Sequence, residues 1–462
     1  MRGLPKVGPA AFAVGVLLVS CTGNLPGNEV GTPARGASAL TGSGSSPIKN
    51  VIVIVQENRS FDDFFATFPN AEGTTQGLMK TSSGDMYVPL QPVDLKESCD
   101  FKHSYQNYLT DLDGGKMDGF DDEGANGKCN QKKSIAPYQY VKPKQIAPYW
   151  DMAKEYVLGD QMFQTQGSDS FTAHQDLVAG ATIFDTAGDE SLVDLPTKTP
   201  WGCDAPARTR TSYLLSTTSG LQYKRNQGPF PCMSYETMRD LLDGAGVSWK
   251  YYSPPIQGGT GGIWNAFEAI KAVRYGPEWG VNVTDSDTAI FSDIAYGQLP
   301  AVSWVIPDQE NSDHPESKSD TGPSWVASIV NAVGESQYWN TSAIVVVWDD
   351  WGGFYDHVPP AFYDQYGGLG FRVPLIVVSP YALGGGTQNY VSHTQYEFGS
   401  ILKFIEDTFA LGSLGKTDER ATSIGDCFNL YQAPRPFSAI PSKYGKAFFL
   451  RQRPSYKPVD TQ

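Results

Sequence analysis

Basic residues are scarce in this 462-residue chain: 35 Lys and Arg stand against 50 Asp and Glu, a formal net charge of −15. Binding to a phosphate backbone rests on cationic neutralisation, so nucleic acid is not an expected partner. No apolar run is long enough to cross a bilayer; the run from Pro9 to Ser20 has only signal-peptide length. Histidine is rarer still, with five residues in the whole chain, and cysteine numbers six. What is present is core material. At 40% hydrophobic and 12% aromatic residues, the composition excludes a disordered chain or a fibre.

Arg2 and Lys6 precede the Pro9 to Ser20 run, so residues 1–20 read as a secretory signal. The run closes as Leu18-Val19-Ser20-Cys21, which resembles a bacterial lipobox. Cys21 is therefore expected to be lipidated and to anchor the protein to a membrane; the plainer reading is an ordinary cleaved signal and a secreted protein. Residues 21–46, rich in Gly, Ser, Thr and Pro, read as a flexible tether. A single catalytic domain is expected over residues 47–445, with 446–462 as a C-terminal tail. Export places Cys99, Cys129, Cys203, Cys232 and Cys427 in an oxidising compartment. Neighbouring pairs, Cys99 with Cys129 and Cys203 with Cys232, would leave Cys427 free.

Short β-branched runs alternate with amphipathic stretches, which predicts an α/β fold: a mostly parallel central sheet flanked by helices, with loop-rich insertions. The runs are Val51 to Val55, Tyr156 to Leu158, Val247 to Tyr252, Val302 to Ile306, Ala343 to Trp348 and Leu375 to Ser379. Helices are expected over Tyr149 to Lys154, Thr237 to Asp243, Ser324 to Val333 and Ser400 to Phe409, with a further helix start at Ala173 to Ala179.

Open parallel sheets bind ligands beyond the carboxyl ends of their strands. The first run exits into Glu57-Asn58, the fifth into Asp349-Asp350 and the fourth into Asp308 and Asp313-His314. Glu57, Asn58, Asp349 and Asp350 offer hard oxygen ligands of the kind that Ca²⁺, Mg²⁺ or Mn²⁺ prefers. Each has a plainer alternative: Asn58 and Asp62 as helix caps, Asp349-Asp350 as a turn. Among the histidines, His103 and His314 lie on loops beside other polar groups. Ser170, before a helix start, is the candidate nucleophile, although Ser168, Ser170 and Thr172 could equally cap that helix.

Taken together, Glu57 to Asp62, His103 followed by Gly115-Lys116-Met117-Asp118-Gly119-Phe120, Ser170 to Gly180, Asp313-His314-Pro315 and Trp348-Asp349-Asp350 with Gly353 to Pro360 resemble the bacterial phosphoesterase family, which contains phospholipase C enzymes and acid phosphatases on an alkaline-phosphatase-like fold. The resemblance runs from about Ile48 to about Phe437. It implies one divalent metal ion, Ca²⁺, Mn²⁺, Mg²⁺ or Zn²⁺, held by Glu57, Asn58, Asp349, Asp350 and Ser170. Ser170 is then the nucleophile that becomes phosphorylated, and His103 and His314 hold the phosphoryl group and serve in catalysis. Asn58 and His174 complete the expected substrate-binding set.

Two departures bear on the substrate. Thr172 and Ala173-His174 stand where many phospholipases C carry proline and then Asn-Arg, and Asp349-Asp350 stands where many carry Asp-Glu, as the phosphatases do not. The expected partner is a phosphoester, either a phospholipid or a small phosphomonoester. A phosphomonoester-specific acid phosphatase and a non-enzymatic surface-binding lipoprotein are the alternatives. A sulfatase is disfavoured because Ser170 lacks the Pro and Arg of that signature.

Overall fold

The computed structural model describes residues 46–122, 135–256, 262–361, 368–385, 389–453 and 455. The expected signal, Cys21, most of the tether and Cys129 lie outside them. Eight strands form the central sheet: β1 (Asn50–Gln56), β2 (Val157–Gly159), β3 (Trp249–Tyr252), β4 (Val283–Thr284), β5 (Val302–Val305), β6 (Ser342–Trp348), β7 (Leu375–Val378) and β8 (Tyr390–Ser392). Their spatial order is β4-β3-β5-β1-β6-β7-β2-β8. β1 sits between two parallel neighbours, with Val51 opposite Val302 and Gln56 opposite Trp348. Every residue of β1 and β6 is buried, which is why both read as continuous apolar runs rather than alternating ones. Truncating one such side chain, as in Ile54→Ala, costs about 2–5 kcal/mol.

The sheet is parallel except at β7, which pairs antiparallel with both β6 and β2. The described part of the link from β6 to β7 contains no helix, so the chain turns back at the end where it left. The edge strands β4 and β8, two and three residues long, fall in segments without an apolar run.

Seven helices frame the sheet and the site: α1 (Phe61–Phe65), α2 (Tyr105–Leu112), α3 (Ala147–Glu155), α4 (Ser170–Ala179), α5 (Met238–Ala245), α6 (Gly322–Gly334) and α7 (Phe398–Phe409). Thr237, expected inside a helix, is instead the N-cap of α5 and forms a reciprocal box with Asp240. Ser60, rather than Asn58 or Asp62, caps α1 by accepting from the Asp63 amide. A three-stranded antiparallel insertion, Glu190–Val193, Ser212–Thr217 and Gly220–Lys224, follows α4. Cys203 and Cys232 form a disulfide as expected, and Cys427 is a buried free thiol. The residues expected to begin a tail pack onto the domain: Phe449 is buried, with its ring 5.2 Å from that of Trp325.

Candidate active site

The site is assembled where β1 and β6 end side by side. Asn58 takes a left-handed backbone (φ 57°), a conformation that asparagine tolerates better than most residues. That turn aims the Asn58 amide at Asp349 Oδ1 (2.9 Å), while the Arg59 amide donates to the Asp350 carbonyl (2.9 Å). Gly352 completes the junction. A Cβ there would lie 2.5 Å from the Asn58 carbonyl oxygen, and φ is +62°, so only glycine lets the two strand exits meet.

Helix α4 supplies the third side. Its N-cap is Asp169, so Ser170 is the first helical residue; the helix starts three residues before the expected Ala173. The plainer capping role fails for Ser170, whose hydroxyl donates to Asp350 Oδ2 (3.0 Å), while Ser168 Oγ accepts from the Asp194 amide (3.0 Å). His174, four residues on and therefore on the same helix face, places Nε2 3.0 Å from Glu57 Oε1 and 3.6 Å from Asp349 Oδ2. At the other end of α4, the half-buried Lys416 ammonium donates to the carbonyls of Ala179, Ala181 and Glu236. Burial lowers that lysine to about 8.

His103 reaches in from the loop before α2. Its Nδ1 donates to the Phe101 carbonyl (2.7 Å), which leaves the Nε2 lone pair to accept from Asn58 Nδ2 (2.9 Å). Asn58 Nδ2 also donates to Asp350 Oδ1 (3.1 Å). His314 is reversed: its Nδ1 accepts from the Glu316 amide (3.2 Å), so the neutral ring carries its proton on Nε2. Its described bonds are local to its own turn rather than to Ser170. The turn is nonetheless tied to the site, because the Gln56 side chain accepts from the Asp313 amide (3.0 Å). Tyr149 and Trp348 both donate to Asp313 Oδ2, and burial pushes that carboxyl up to about 7. Asp313 thus acts as a strut.

Glu57, Asp349 and Asp350 are all fully buried. The neighbouring guanidinium of Arg59 turns away, to Asp63 (2.9 Å), Ser98 and the Asp313 carbonyl, and does not neutralise them. Burial, with Asp349 adding to it, pushes Asp350 up to about 8, and burial drops His174 to about 4. Asn58 Oδ1 and Asp349 Oδ2 are buried without a hydrogen-bond partner among the described residues. Buried carboxylates and a neutral imidazole with unfilled acceptors fit a divalent cation. Glu57, His174 and Asp349 bring one ligand atom each within 4.8 Å of one another.

The expected ligand set is therefore divided. Glu57 and Asp349 converge with His174, which was expected to face substrate, whereas Ser170, Asp350, Asn58 and His103 form a hydrogen-bonded chain beside them. The i, i+4 spacing of Ser170 and His174 was the sequence signal for this. A cavity of about 420 Å³ opens beside His103 and Asp169, bounded on the insertion side by Tyr223, Arg225 and Asn226.

In sequence the chain is similar to known phospholipases C. Phospholipase C B of Mycobacterium tuberculosis is 26% identical over 453 residues, spanning 84% of this chain and 79% of its own. The non-hemolytic phospholipase C of Burkholderia pseudomallei is 24% identical over 483 residues, spanning 89% of this chain and 63% of its own. A solved structure of a protein in the alkaline phosphatase superfamily from Vibrio parahaemolyticus aligns over 84% of this chain and 73% of its own, at 12% identity and a TM-score of 0.36. The profile described as the phosphoesterase family matches residues 48–412. With most of its length inside that match, and with the carboxylates, serine and histidine of the resemblance gathered at the ends of β1 and β6, the chain belongs to the phosphoesterase family.

Proposed function

We propose that this phosphoester hydrolase cleaves its substrate through a phosphoserine at Ser170. The observation that carries the reading is the 3.0 Å hydrogen bond from Ser170 Oγ to Asp350 Oδ2, beside the fully buried carboxylates of Glu57 and Asp349. Glu57, His174 and Asp349 would hold a divalent cation, with Asn58 Oδ1 and Asp350 beside it. When bound, such an ion supplies Lewis-acid stabilisation of charge on the phosphoryl oxygens.

The chain's own groups account for the protons. Asp350 takes the Ser170 proton as the Oγ–P bond forms in line and the bond to the leaving oxygen breaks. His103, in its imidazolium form, passes its Nε2 proton to the leaving oxygen, since Nδ1 is committed to the Phe101 carbonyl. His314, with its proton on Nε2, is suited to donate to a phosphoryl oxygen. Water then attacks phosphorus and gives a proton to the now neutral His103 Nε2, the Oγ–P bond breaks, and Ser170 recovers its proton from Asp350. Ser170→Ala should fold and keep its metal but lose on the order of a thousandfold or more in kcat/KM. Acid-quenched phosphoenzyme should form in the parent only. Near-parental turnover by the alanine variant would eliminate Ser170 as the nucleophile.

Diester cleavage of the phospholipase C type is the first reading, supported by the names of the relatives. Monoester cleavage is the second, favoured by the Asp349-Asp350 pair. Turnover of p-nitrophenylphosphorylcholine against p-nitrophenyl phosphate separates them. Export and lipidation at Cys21 belong to the same proposal and are supported by the sequence from Arg2 to Cys21. Cys21→Ser should release the protein from membranes, and an unmodified Cys21 in the mature protein by mass spectrometry would refute the anchor.

A further inference from the structure

The cavity beside His103 has acids and cations arranged in opposite senses. Asp194 and Asp169 lie in its floor, buried: Asp194 accepts from the Tyr105 amide (2.6 Å) and the Tyr223 hydroxyl (2.6 Å), and Asp169 accepts through Oδ2 from the Leu195 amide (2.8 Å), its Oδ1 having no hydrogen-bond partner among the described residues. Lys102 and Arg225 stand at the opening, both exposed. Neither makes a hydrogen bond or ion pair among the described residues. Two exposed cations without a hydrogen bond, Arg225 acting on Asp194 through its charge alone, give this cavity a wall that can bind an anion in a chain of net charge −15.

The position of the wall gives it a substrate role. Lys102 precedes His103, and Asp169 precedes Ser170, so the cavity adjoins the point of attack and can receive the organic substituent of the phosphoester. Its volume of about 420 Å³ suits a small polar group. A quaternary ammonium headgroup is poorly matched, since Tyr223 is the only Phe, Tyr or Trp among the lining residues and its hydroxyl is bound to Asp194. We propose that Lys102 and Arg225 form a specificity site for a second anionic group, a carboxylate or phosphate carried by the substituent on the scissile phosphate. The three-stranded insertion, which carries Tyr223 and leads into Arg225, is then the element that selects the substrate.

This inference rests on the proposed reading that the phosphoester is cleaved at the site beside His103, whichever group attacks it. The test reads a ratio of kcat/KM within matched pairs on the full metal-replete protein: 3-phosphoglycerate against glycerol 3-phosphate for monoesters, and glycerophosphoserine against glycerophosphoethanolamine for diesters. The parent should favour the carboxylate-bearing member about two- to fivefold, the size of contact expected at an exposed site. Arg225→Gln and Lys102→Gln should each bring the ratio towards one, while Lys446→Gln, an exposed cation of the C-terminal helix, should leave it as in the parent. A parental ratio near one in the pair that turns over, or a ratio unmoved in both cavity variants, overturns the proposal. If Ser170→Ala kept the parental rate with the ratio intact, the nucleophile assignment would fall and the anion site would stand.

Discussion

Two acidic clusters lie one turn of chain apart and behave in opposite ways. Glu57, His174 and Asp349 are gathered where the nearby Arg59 guanidinium points away, to Asp63, Ser98 and the Asp313 carbonyl. Asp62, Asp356 and His357 are gathered around Arg372, whose fully buried guanidinium donates to Asp356 Oδ1 (2.9 Å) and Oδ2 (3.2 Å) and approaches Asp62 Oδ1 at 3.4 Å. Every oxygen of Asp62 and Asp356 has a donor, including the Thr74 and His357 amides on Asp62. Ligand-like composition is common to both clusters. What separates a cation site from a strut is whether the fold has already supplied the positive charge.

The largest test of this contrast is Asp349→Asn, which should lose on the order of a thousandfold in turnover together with bound metal. Asp356→Asn should keep its metal by elemental analysis, and a loss there would erase the distinction. Chelation should likewise inactivate the parent, with a divalent ion restoring it. Next in size, Arg372→Met strands two buried carboxylates and should lower stability by about 3–5 kcal/mol in urea without changing metal content. A variant as stable as the parent would show that the strut holds nothing.

The smallest effect concerns His357. Burial alone would lower its pKa, but the hydrogen bond and charge of Asp62 (Nδ1 to Oδ2, 2.6 Å) raise it overall. A raised folded-state value contributes stability that is fully present below the unfolded value of about 6.5 and is lost as pH rises through the folded one. His357→Gln should therefore narrow its gap to the parent between pH 6 and 8.5. A gap that widens with rising pH, followed by thermal midpoint, would reverse the sign.

The strands that frame the site were legible because burial on both faces writes an unbroken β-branched run, as at Val51 to Val55 and Ala343 to Trp348. The direction of β7 was not, since its run is the same whichever way it points; direction is set by a connection rather than by composition. Edge strands β4 and β8 escaped notice because half-exposed pairs of two or three residues carry no hydrophobic signature. At the site, Glu57, Asp349, Ser170 and His103 could be read from polar residues following strands and flanking a helix. The place of His174 required knowing that α4 begins at Ser170, and the false likeness of the Asp356-His357 cluster could be dismissed only by seeing Arg372 arrive from sixteen residues away.

Helix α4 is buried at all ten of its positions and is gripped at its carboxyl end by the Lys416 ammonium. Translated into time, its amides should be among the slowest in the protein to exchange with deuterium, opening only when the domain as a whole unfolds. The Ser170 hydroxyl, the proposed nucleophile, is thus carried on a part of the molecule that does not breathe. Whatever motion admits substrate or releases product must then belong to the cavity's other wall, on the insertion side of Ser170.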